Sequence, residues 1–211
     1  MFETRANRWE ACVKTGVMIP LFKKGDRKDC NNYRGVCLLN MCSRVLARVI
    51  AKRLGWWSER LGLLDENQAG FRRGRSTADV VQMMVRMEED VSDCKRRVNV
   101  MNEREGERGM DENEWPVARL LDLRKAYPRV NRPALWMLLQ RYGMKGRCLE
   151  TVMDLHECTE YKVRGKEGMS EGWMLVRGLR EGCSTSPILL NVYHQAVTRQ
   201  AEEERRRVSG E

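Results

Sequence analysis

The chain has 211 residues, 42% apolar and 33% charged, with a net charge of +9. That is enough apolar material for one large domain or two small ones. It is too interrupted for a membrane span of roughly 18 apolar residues, and the N-terminal MFETRANRWEACVKTGVMIPLF lacks the unbroken apolar run of a secretory signal. Eight cysteines form no CxxC pair, and His156 and His194 have no partner at zinc-finger spacing, which fits reduced thiols in an intracellular setting, cytoplasmic or nuclear.

The excess charge is local. Residues 14–75 hold 14 Lys and Arg against 5 Asp and Glu, while 1–13 and 76–211 are each balanced. A concentrated basic block is the footprint of a phosphate or nucleic-acid surface, and equally that of a solvated basic face. It opens with Ile19 to Phe22, KKGDRKDCNNYRG and VCLLN: two short extended segments joined by a polar turn, a basic hairpin. From Ser43, the residues Val45, Leu46, Val49, Ile50, Leu54, Trp57 and Leu61 recur at three and four, predicting a helix with this face apolar. Its other face carries Arg44, Arg48, Lys52, Arg53 and Arg60.

The loop LGLLDENQAGFRRGRST follows, with Ser76 or Thr77 placed to cap a second helix through Val91. NVMNEREGERGMDENE, residues 99–114, is charged and aperiodic and reads as an exposed loop or insertion at a subdomain boundary. Val117 to Leu123 is a candidate buried strand. Helices are predicted from Arg132 to Tyr142, ended by Gly143, and from Gly146 to about Glu157. Glu160–Val163 and Gly172–Val176 read as strands around the turn GKEGMS. A helix opens at Ser186 with Pro187 in its first turn, and the final EEERRRVSGE is expected to fray.

Four stretches carry a resemblance: IPLFKKGDRKDCNNYRGVCLLN, QAGFRRGRSTADVV, LLDLRKAYPRVNRPALW and GLREGCSTSPILLNVY. In this order they resemble successive sequence blocks of the reverse transcriptase of LINE-type retrotransposons, which lack long terminal repeats. The resemblance implies an α+β fold, a partial right-hand polymerase of fingers and incomplete palm, with helices packed on a small antiparallel sheet. Residues 1–98 would then form a basic fingers-like subdomain, 99–114 the loop, 115–200 a partial palm and 201–211 a frayed tail.

The implied activity is addition of deoxynucleotides to a DNA primer on an RNA template by two Mg²⁺ ions roughly 3.5–4 Å apart. Asp122 matches the first metal-binding catalytic carboxylate; read from the sequence alone, it equally suits a cap for a helix near Arg124. Tyr127 matches the aromatic gate against the incoming sugar, and is otherwise an ordinary core aromatic. Lys23, Lys24 and Arg34 match the basic residues that meet the triphosphate, with a solvated hairpin as the bland reading.

Arg72, Arg73 and Arg75 match a template-phosphate loop, or simply a basic loop capping the next helix. In GLREGCSTSP, Gly178, Ser186 and Pro187 match template contacts, while Glu181 and Gly182 match nucleotide contacts; without the resemblance it is a glycine turn and a helix start. The family often has Asp at Pro128, Gln at Glu181 and Pro at Gly35. Pro128 discourages helix at Tyr127 and so threatens the turn that positions it.

The family's Tyr-x-Asp-Asp block is absent from these 211 residues. The expectation is a polymerase fragment truncated before that block and inactive as it stands. The alternatives are a catalytically dead remnant that binds RNA through residues 14–75, and an unstable truncation product.

Overall fold

A computed structural model describes residues 14–105, 125–165 and 167–209, with side chains over 14–93, 125–165 and 167–208. The chain divides into two compact units, Met1–Asp65 with Lys125–Glu211, and Glu66–Arg124.

In the first unit the basic hairpin forms as the sequence predicts. β1 (Thr15–Phe22) and β2 (Tyr33–Leu39) pair antiparallel from Gly16 opposite Leu39 to Phe22 opposite Tyr33. The turn is built from its polar residues. Asp29 accepts a hydrogen bond from the Asn31 amide to cap a 3-10 turn, and the Lys23 amide donates to the Asn32 carbonyl at 2.8 Å. Strand periodicity sorts β2: Cys37 and Leu39 turn inward, while Arg34, Val36 and Leu38 face out.

β3 (Glu160–Gly165) lies beside β1, but parallel to it, with Thr15 opposite Glu160 and Met18 opposite Val163. The small sheet is therefore mixed, a correction to the antiparallel sheet expected. A parallel neighbour needs a long crossover, and the chain from Phe22 to Glu160 supplies one with helices in it. β4 (Gly168–Met169) folds back on β3 within the expected turn, and β5 (Trp173–Met174) pairs with the start of β3.

α1 (Met41–Arg60) begins two residues before the predicted start because the Asn40 side chain accepts from the Cys42 amide. Its buried face overlaps the predicted one only in part: Leu54 is buried, and Leu46, Ile50 and Trp57 are half-buried against the core. Ser43, Ala47, Ala51, Leu54 and Ser58 are buried, while Val45, Val49 and Leu61 are exposed. Small residues let the helix approach its neighbours closely, so packing distance rather than apolar size chose the face.

After α2 (Thr77–Glu105) of the second unit, and after Lys125 in a left-handed conformation (φ 53°), comes a single helical turn, α3 (Ala126–Arg129). Tyr127 and Pro128 are both in it, so the expected disturbance by Pro128 does not occur: in a first turn the missing N–H has no intrahelical partner to lose. α4 (Arg132–Arg141) is capped by the Asn131 side chain and closed at Gly143 (φ 89°), where the Gly143 and Met144 amides return to Gln140 and Leu139. α5 (Gly146–His156) and α6 (Ser186–Ser209) follow. α6 continues through the EEERRR segment expected to fray, whose Glu and Arg are good helix formers with four-residue spacing between opposite charges. One core cluster, with Leu54, Leu135, Leu139, Val152, Leu179, Leu189 and Val192, joins the helices; a second, with Cys37, Leu39, Ala47, Leu155, Tyr161 and Cys183, joins them to the sheet.

In the second unit α2 (Thr77–Glu105) starts after Ser76, and the cap that forms there is the Asp79 carboxylate, which accepts from the Ser76 amide at 2.6 Å. The helix runs seven residues into the stretch read as a loop. Nothing from Asn99 to Glu105 breaks a helix, and the first glycine is Gly106. The remainder of that stretch and the expected strand Val117–Leu123 lie outside the described residues.

Candidate functional site

Residues 178–187 form a loop held by the elements on either side of it. Gly178 has φ 83°, and a Cβ there would lie 2.5 Å from Pro128 Cα. The Gly178 and Leu179 amides donate to the carbonyls of Val130 (3.1 Å) and Tyr127 (2.8 Å), and Arg132 Nε donates to the Gly178 carbonyl at 2.6 Å. The loop and the α3 turn are thus stitched together backbone to backbone. Gly182 (φ 74°) plays the same part toward β2, since a Cβ would meet the Cys37 carbonyl oxygen at 2.5 Å. Both glycines serve close approach, as their motif suggests, but the backbone they approach is the protein's own.

Beneath the loop lies a buried polar network. The Arg180 amide donates to His156 Nδ1 at 3.3 Å, which leaves Nε2 to carry the proton toward Thr185 Oγ1 at 3.0 Å. Burial, with the Arg132 and Arg180 charges, pushes the His156 pKa down to about 3, so the ring stays neutral. The fully buried Arg180 donates through Nη1 to Ser43 Oγ at 3.1 Å, and Ser186 Oγ donates to the Arg180 carbonyl at 2.5 Å. The Glu181 amide donates to the Tyr161 hydroxyl at 3.1 Å.

This framework presents Glu181. Its carboxyl is held above the usual range by burial, against the pull of Arg34; the Tyr127 phenol is raised by burial and by Glu181, again opposed by Arg34. The Leu179 amide on the Tyr127 carbonyl and the approach of Gly182 to the Cys37 carbonyl bring the loop beside α3 and β2, so Glu181, Tyr127 and Arg34, far apart in sequence, feel one another's charge. A guanidinium, a phenol ring and a half-buried carboxyl together can hold an anion, stack on a planar or sugar face and accept from a hydroxyl.

The other candidate residues fall in several places. Lys23 and Lys24 are exposed beside the hairpin turn. Gly178 and Ser186 are buried, with the Ser186 hydroxyl engaged internally, and Pro187 is half-buried. In the second unit Arg72 is buried and donates to the Gln68 carbonyl at 3.2 Å, Arg75 pairs with the Glu66 carboxylate, and Arg73 is exposed.

Asp122 lies outside the described residues. The helix expected near Arg124 starts after Lys125, three residues beyond Asp122 in sequence, without a side-chain cap. Among the described residues no group of three His, Cys, Asp or Glu could hold a metal, so that part of the chain does not offer the donor set two Mg²⁺ would need. No described helix is long and apolar enough to cross a membrane.

The residues that support the loop are His156, Arg132, Arg180 and Tyr161, to which no sequence motif gives that part. For His156 a signal existed: it continues the Leu149 and Val152 face of α5 at helical spacing. For the buried arginines there was none.

A family model described as reverse transcriptase (RNA-dependent DNA polymerase) matches residues 22–208. The chain is 24% identical over 181 residues to a Drosophila melanogaster protein described as a probable RNA-directed DNA polymerase from transposon X-element, covering 85% of this chain and 18% of that one. It is 23% identical over 205 residues to the corresponding protein of transposon BS, also from Drosophila melanogaster, covering 89% and 20%. The chain thus spans about a fifth of the length of these relatives.

Proposed function

The chain belongs to the reverse transcriptase family, of the LINE type, and from that premise we propose that it is the fingers and first part of the palm of an RNA-directed DNA polymerase. In this reading Arg34, with Lys23 and Lys24, meets the triphosphate of an incoming deoxynucleotide, Tyr127 lies against its sugar, and Glu181 with Gly182 borders it. Arg72, Arg73 and Arg75 follow the RNA template, with Gly178, Ser186 and Pro187 shaping the loop beside it. Asp122 is the candidate ligand for Mg²⁺, which in the family supplies the charge neutralisation and activation of the primer hydroxyl. RNA, a DNA primer and deoxynucleotides as ligands imply an intracellular setting.

The observation that supports this most is the convergence of Arg34, Tyr127 and Glu181 from three sequence blocks into one neighbourhood. Isothermal titration of the chain with dATP and ATP in Mg²⁺ tests it. Arg34→Gln should weaken dATP binding by about tenfold or more, the worth of a charge-assisted hydrogen bond, and Tyr127→Ala should narrow the preference for dATP over ATP. Equal binding of both nucleotides, unchanged in either variant, would sink the reading.

A further inference from the structure

α1 carries five cations and a single acid, Glu59, along its 20 residues. The buried positions Ser43, Ala47, Ala51, Leu54 and Ser58 fix which way the helix faces. On the opposite side, at four-residue steps, stand Arg44, Arg48, Lys52, Trp56 and Arg60, all exposed. At 1.5 Å per residue this ridge is about 24 Å long, with a side chain every 6 Å or so. None of its cations forms an ion pair among the described residues. Trp56 is 63% exposed, and the Arg60 guanidinium lies 5.1 Å from its ring centroid, a cation–π contact that holds the indole in place at the surface.

Ser43, on the buried side, is the residue that touches Arg180. The ridge therefore points away from the 178–187 loop and is a separate surface from the Arg34, Tyr127 and Glu181 neighbourhood. Its chemistry selects among anionic partners. A membrane-surface helix separates its cations from its apolar residues, whereas here Met41, Val45 and Val49 interleave with Arg44, Arg48 and Lys52 on one face, and the apolar contacts of the other face are already used by the core. A duplex keeps its base faces stacked and has no use for an exposed indole. A single strand offers phosphates to a row of cations and a free base face to an aromatic ring.

We propose that the outer ridge of α1 binds single-stranded RNA, with its phosphates on Arg44, Arg48 and Lys52 and a base against Trp56. The surface rests on charge and geometry alone; the choice of RNA over DNA rests on the family reading.

The test is fluorescence anisotropy of an unstructured RNA oligomer with the full chain across a salt series. The triple substitution Arg44→Gln, Arg48→Gln, Lys52→Gln should reduce the log–log salt slope by about 2 and weaken binding roughly 50-fold near physiological salt, three phosphate contacts' worth. Trp56→Ala should weaken binding about tenfold and keep doing so at high salt, where the charge contribution is gone. A charge-matched control, Arg141→Gln, Lys145→Gln, Arg147→Gln, should leave the slope within about half a unit of the parent. These positions are all exposed, and matching thermal melts confirm that the variants fold.

Equal loss of slope in ridge and control variants would reduce the effect to net charge and overturn the proposal. So would tighter ridge-dependent binding of a DNA oligomer of the same sequence, or ridge-dependent binding of phosphatidylserine vesicles in preference to RNA. Failure of the nucleotide reading looks different: Arg34→Gln then leaves dATP binding unchanged while the ridge effect on RNA stands.

Discussion

Acidification should destabilise the first unit through one residue, His156. The folded ring resists protonation down to about pH 3, whereas in the unfolded chain it takes a proton near its ordinary pKa of 6.5. Below pH 6.5 the unfolded state binds more protons, so stability is full above 6.5 and is lost as pH falls toward 3. At about 1.4 kcal/mol per pH unit, lowering the pH from 6.5 to 5.0 removes about 2 kcal/mol, a large part of a total that is typically 5–15. Solvent does not screen the ring, which is fully buried between Thr185, Arg132, Arg180 and Trp136.

Urea unfolding followed by tryptophan fluorescence reads this as a midpoint lowered by about 1 M between pH 6.5 and 5.0, for an m-value near 2 kcal/mol/M. His156→Gln keeps a donor near the Nε2 position without titrating, so it should cost stability at neutral pH yet flatten the slope. Glu181 works in the other direction: its raised pKa stabilises the fold below its unfolded value and loses that contribution as pH rises through the folded one. The comparison is therefore repeated in Glu181→Gln. A wild-type midpoint that stays level from pH 6.5 to 5.0, or a His156→Gln slope equal to the parent's, would refute the neutral buried ring.

Three further outcomes follow from the loop geometry and the sequence. Gly178→Ala should destabilise by more than the 1–2 kcal/mol of a left-handed alanine, because backbone of Pro128 stands in the way; Gly62→Ala, at φ 58° with nothing nearby, should cost only about that, and paired thermal melts compare them. Tyr161→Phe should cost about 1–3 kcal/mol by urea unfolding, as the Glu181 amide loses its acceptor inside the protein. In a primer-extension assay with Mg²⁺ or Mn²⁺, a primed RNA and four deoxynucleotides, these 211 residues should give no product. Extension abolished by Asp122→Asn would show instead that the chain assembles its metal site without a Tyr-x-Asp-Asp block.

The sequence by itself determined the family, through four ordered blocks, and most of the local structure. Gly143 ends α4 by capping chemistry that acts over three or four residues, so a one-dimensional reading captures it. The basic block was equally legible, since charge is carried by residue type alone. What only the tertiary structure decided depends on residues far apart in the chain. β1 beside β3 is set by a crossover whose course no local pattern encodes, and the buried face of α1 went to Ser43, Ala47 and Ala51 because neighbouring elements press close there. The pairings of Gly178 with Pro128 and Gly182 with Cys37 show why those glycines are needed, and bring Arg34, Tyr127 and Glu181 to one place. His156 and Arg180 became the supports of that loop only in three dimensions, where burial turns an ordinary histidine into a neutral acceptor and gives a buried arginine partners 24 and 137 residues away.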